Sequence, residues 1–109
     1  METLHLIVHK SMIEEEINSS LTPKDKLSKL ENVLERINKL EIEEKNVKHI
    51  KSNMENPYDD GIHHVKEICQ GYSKVVLYGI STMACLTFTK KELEKAGHEA
   101  VYDSQGTID

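Results

Sequence analysis

Cysteine is scarce in this 109-residue chain, which has only Cys69 and Cys85. They stand sixteen positions apart with no CxxC or Cys/His spacing around them, which excludes a disulfide framework and a structural zinc site. Both read as small buried hydrophobes in a reducing compartment. Long apolar runs are lacking too. Nothing approaches the ~20 residues that a membrane helix needs. The short run Leu4 to Val8 has no basic lead, contains His5 and leads on to Glu14-Glu15-Glu16, unlike a secretory leader. A soluble, cytoplasmic protein with no membrane partner is expected. Basic excess is also missing: 14 Lys and Arg stand against 19 Asp and Glu, for a net charge of −5. Neither half of the chain is positive, so direct binding to nucleic acid by this chain is not expected. Internal repeats and low-complexity tracts are absent, and the length suits a single domain. With 38% apolar and 30% charged residues, the chain has enough regularly spaced Leu, Ile and Val to fold.

Five glycines and two prolines leave few punctuation points. The main ones are Asn18-Ser19-Ser20 with Pro23, Asn53 to Gly61 with Pro57, and Gly71. Before the first, Leu6, Val8, Ile13 and Ile17 are spaced as a helix face over about 4–17, although Leu4 to Val8 reads equally as a strand. Thr22-Pro23-Lys24-Asp25 marks a helix start, with a capping hydroxyl, a proline and an acid at the positive end of the dipole. Leu27, Leu30, Leu34 and Ile37 then form an apolar stripe over about 24–42. Val47, Ile50 and Met54 continue a face, which predicts a third helix over about 44–54. Residues 1–56 are thus expected to be a helical region. In residues 57–109 the signals are a helix over 62–70, a strand over 74–78, a helix over 82–96 and a strand over 98–102. Strand, helix, strand makes a βαβ unit with parallel strands. The fold class expected is therefore α/β, a helical N-terminal half followed by a minimal βαβ unit with a short parallel sheet. So small a sheet has exposed edges, which points to a homo-oligomer.

The loop after the first βαβ strand is where a helix N-terminus favours an anion. Here it reads Tyr78-Gly79-Ile80-Ser81-Thr82-Met83. Helix capping alone accounts for the Ser-Thr pair, and phosphate binding is the functional alternative. The loop lacks the GK[ST] ending of a Walker motif and the further glycines of a dinucleotide fingerprint. A flavodoxin-type loop would place glycine and asparagine among several hydroxyls, where Met83-Ala84-Cys85-Leu86 has neither. Lys74 to Asp103, with Tyr78-Gly79, Ser81 or Thr82, Ala84, Leu93, Lys95 and Gly97, resembles the first βαβ of the sugar isomerase (SIS) domain in MurR/RpiR-type transcriptional regulators. This resemblance implies that Gly79, Ser81 and Thr82 hold the phosphate of a phosphosugar and that the chain takes part in transcription regulation. The family's loop usually has a second glycine, where Ser81 stands here. Its second phosphate-binding loop has no counterpart, so the implied site is partial, as in a truncated or degenerate member.

The six histidines show no ligand pattern: His5 and His9 lack the HExxH glutamate, and the adjacent His63 and His64 do not converge. No metal, cofactor or catalytic residue is expected, because no nucleophile, base and oxyanion donor can be assembled from the spacing. The resulting expectation is a non-enzymatic regulatory or oligomerisation module related to part of a SIS domain. The alternative is a small acidic helical adaptor or inhibitor that grips a protein partner through Leu27, Leu30, Leu34 and Ile37.

Overall fold

The computed structural model describes residues 3–50, 65–80 and 85–108. Its elements are β1 (Thr3–Val8), α1 (Lys10–Ile17), α2 (Lys24–Glu43), β2 (Val47–Ile50), α3 (Val65–Ile68), β3 (Lys74–Ile80), α4 (Cys85–Lys95) and β4 (Glu99–Ile108). The strands form one sheet in the order β2-β1-β3-β4, and every pairing is parallel.

Alternation in β1 explains why the sheet is covered on both sides. Leu4, Leu6 and Val8 enter one core with Ile50, Val75 and Leu77, beneath Val65 and Cys69 from the α3 side and Leu86 and Leu93 of α4. Ile7 enters a second core with Tyr78, beneath Ile13 of α1 and Leu30, Val33, Ile37 and Leu40 of α2. All four of these β1 apolar side chains have 0% exposure, the pattern of an interior parallel strand. Crossovers of one hand that travel in opposite directions along a sheet lie on opposite faces. Accordingly α1 and α2, between β1 and β2, cover one face, while α3 and α4 cover the other.

The α/β class holds, and the helical N-terminal half holds only in part: α1 and α2 are helices, but two strands share the region with them. Residues predicted as one helix over 4–17 divide into β1 and α1, and the predicted helix over 44–54 contains β2 at Val47–Ile50. The physical reason is pairing. Leu6 aligns with Lys48 on one side and Leu77 on the other, so β1 gains two ladders of hydrogen bonds that a lone helix could not offer. The two-stranded sheet is corrected to four strands, drawn from both halves of the chain. α2 matches the expected helix closely, although Thr22 does not cap it. Its hydroxyl donates instead to the Glu16 carbonyl at 2.6 Å, and Pro23 occupies the cap position. The strand expected over 98–102 extends to Ile108.

The stripe on α2 lies against the sheet. Leu30 and Ile37 are fully buried, Leu34 packs against the same core, and Leu27 is half-buried. Truncating Ile37 to alanine should therefore cost about 2–5 kcal/mol in urea unfolding. Leu21→Ala, at a side chain 90% exposed, should stay within about 0.5 kcal/mol.

Candidate functional site at the carboxyl edge of the sheet

The chain leaves β1 toward β2 on one side and β3 toward β4 on the other, so the strand order reverses between β1 and β3. In open parallel sheets ligands bind outside the carboxyl ends of strands at such a reversal. His9 occupies this position at the end of β1, with φ 56° and ψ 49°. A non-glycine residue in the left-handed region is uncommon, and such outliers concentrate at functional sites. The His9 turn is held from two directions: its N–H donates to the Ile50 carbonyl at 2.8 Å, and its carbonyl accepts from Met12 N–H at 3.0 Å. The imidazole is fully buried.

Lys10 opens α1, and its Nζ lies 3.0 Å and 3.2 Å from the two carboxylate oxygens of Glu41 on α2. Nε2 of His49, on β2, is 3.4 Å from the same carboxylate. One carboxylate thus gathers cationic or protonatable groups from β1's exit and from β2. On the β3 side, Gly79 aligns with Val8. At φ +128° it adopts a backbone conformation that side chains resist, and a β-carbon there would run into the Val8 carbonyl oxygen. Glycine therefore lets β3 approach β1 closely at the reversal. Of the residues expected to hold phosphate, Gly79 stands at this edge, while Ser81 and Thr82 lie outside the described residues.

Behind the edge, α2 ties several strands together through polar groups. Tyr78 on β3, 1% exposed, places its hydroxyl 2.8 Å from Nδ1 of His5 on β1. Nε2 of His5 is 3.7 Å from Glu44. His5 thus bridges Tyr78 on one ring nitrogen and Glu44 on the other. Arg36 bonds through Nε to Asp103 on β4 at 3.3 Å, and its guanidinium carbon lies 5.9 Å from the Tyr78 ring centre. The hydrogen bond to Asp103 holds the Arg36 pKa above its usual value, outweighing burial. Burial, aided by the Asp103 charge, pushes the Tyr78 phenol up to about 12. Cys69 lies in the other core, where burial pushes its thiol up to about 11, as befits a packing residue rather than a nucleophile.

Among the described residues no group of three or more His, Cys, Asp or Glu could hold a metal ion, and no helix is long and apolar enough to cross a membrane. Comparison with protein-family models, curated proteins and solved structures returns no match for this chain. The site is therefore defined by its own geometry: a doubly wound α/β sheet with a glycine-dependent reversal and an ionic cluster beside it. Sequence reasoning missed His9, Lys10, Glu41 and His49, because reading 4–17 as a helix hides the end of β1. With Leu4 to Val8 taken as a strand and the strand order known, the reversal rule selects residues 9 and 10.

Gly79→Ala combines unfavourable φ with a backbone clash and should destabilise by at least about 2 kcal/mol in urea unfolding. Tyr78, with a phenol pKa near 10 when unfolded and about 12 when folded, stabilises the fold fully below pH 10. That contribution should disappear as pH rises from about 10 to 12, removing on the order of 2 kcal/mol. Tyr78→Phe should flatten this alkaline loss in pH-dependent denaturation and cost about 1–2 kcal/mol at pH 7, where the hydrogen bond to His5 Nδ1 is lost.

Proposed function

We propose that the protein is a non-enzymatic regulatory module that binds a phosphate-bearing sugar at the carboxyl edge of β1 and β3. The observation that carries this reading is the sheet reversal, which sets the end of β3 at Gly79 against the end of β1 and its left-handed His9 turn. A crevice at that position is the usual ligand site of such sheets, and the hydroxyl residues Ser81 and Thr82, which follow Gly79-Ile80 in the sequence, have phosphate-binding chemistry. The resemblance of Lys74 to Asp103 to SIS domains of RpiR-type regulators favours a phosphosugar and a role in transcription regulation. Lys10, paired with Glu41, follows His9 at the start of α1, directly after the β1 end. The adaptor reading loses its motive, since Leu30 and Ile37 are buried within the chain. Homo-oligomer formation belongs to the same proposal. Its element is β4, a ten-residue strand at the end of the sheet that can pair with a second copy.

Calorimetric titration with a panel of sugar phosphates tests the ligand. Heat of binding is expected with at least one member, and Ser81→Ala with Thr82→Ala should weaken it at least tenfold. A panel that produces no heat contradicts the reading. Light scattering should give a mass above that of one chain, and a strictly monomeric mass removes the assembly claim.

A further inference from the structure

The carboxyl half of β4 does not follow β3 evenly. Leu77 aligns with Tyr102, but the next alignment joins Gly79 to Thr107. Residues 103–106 therefore stand opposite Tyr78 alone, a broad bulge in an edge strand. Such bulges re-aim side chains and recur beside binding sites. This one is pinned in place. Asp103 bonds to Arg36, Thr107 Oγ1 donates to the Asp103 carbonyl at 2.8 Å, and Gly106 lies so close to the Tyr78 ring that a β-carbon would collide with it.

Between this bulge and α2 lies a groove of about 640 Å³, within the roughly 300–1,000 Å³ typical of small-molecule sites. Its α2 wall carries Lys29, Arg36 and Lys39, against the single carboxylate of Glu35. Its β4 wall offers the hydrogen-bonding side chains of Ser104 and Gln105, and Val33 and Ile108 add apolar surface. With Asp103 on Arg36 and Glu43 near Lys39 counted beside Glu35, the groove has three cations and three carboxylates. Within a chain of net charge −5 it is a locally neutral stretch in which the exposed Lys29 and Lys39 can meet an anion. Asp103 fixes Arg36 beside the groove, while Lys39 is only loosely engaged, 4.0 Å from Glu43 and two-thirds exposed. At 1.5 Å per residue the three cations span about 15 Å of helix, which suits a ligand with extended or multiple charge better than one small anion.

We propose that the groove between α2 and the β4 bulge binds a small phosphorylated polyanion of about nucleoside-diphosphate size. This site is separate from the β1/β3 edge and does not depend on the phosphosugar reading.

NMR titration with ADP and with inorganic pyrophosphate tests it. Both probes should move the amide resonances of Ser104, Gln105 and α2 residues 29–39 at millimolar concentration or below. The Lys29→Glu, Lys39→Glu variant should weaken binding at least tenfold, with the Lys29→Gln, Lys39→Gln pair as the milder change if the first fails to fold. Absence of shifts in the groove with both probes overturns the proposal, as do groove shifts that persist unchanged in the folded variant. Shifts confined to Val8–Lys10 and Gly79 also count against it, and would report the other edge instead.

Discussion

Strand β1 needs hydrogen-bond partners along both edges and apolar cover on both faces, and the remaining elements satisfy those needs. β2 and β3 provide the edges, with Leu6 aligned between Lys48 and Leu77. α3 and α4 cover the face of Leu4, Leu6 and Val8, while α1 and α2 cover that of Ile7. A buried backbone group without a partner costs about as much as a lost hydrogen bond. The pairing is thus as necessary as the burial, and neither the helical half nor a two-stranded sheet could provide it.

The placement of β1 also generates the functional geometry. Because β1 is central and the chain departs from it in one direction before returning beyond it, the reversal falls between β1 and β3. Gly79 permits close approach at that point, and His9 turns the chain into α1. α2 crosses the same face from β4 to β1, tied by Arg36 to Asp103 and by Glu44 and Glu41 to His5 and Lys10. The Tyr78 ring lies under that crossing, with its hydroxyl satisfied by His5. Burial there makes the phenol harder to ionise, and the β4 bulge passes close over its ring because residue 106 is a glycine.

Some of this was legible in the residues. The α2 boundaries followed from Pro23, Asp25 and the Leu/Ile periodicity, and β3 followed from its β-branched run ending in glycine. β1 was ambiguous because Leu6, Val8, Ile13 and Ile17 satisfy helix spacing while Leu4 to Val8 satisfies a buried strand; a local pattern does not contain the partner strands that decide between them. β2 has only four residues, and its Val47 and Ile50 are three apart, a spacing natural to a helix. The destination of the α2 stripe was likewise invisible, since an apolar face fits a sheet of its own chain as well as another protein. At the site, Gly79 could be selected from sequence, but the Lys10, Glu41 and His49 cluster unites three elements and requires the topology. The β4 bulge was hidden because Asp103-Ser104-Gln105-Gly106 has the composition of a turn.

The central claim is that residues 3–8 form the inner strand of a four-stranded parallel sheet. Interstrand nuclear Overhauser effects from Leu6 test it most directly. The account predicts contacts to the backbone of both Lys48 and Leu77. Sequential helical contacts running unbroken from Leu4 through Ile17, with none to either strand, would contradict it.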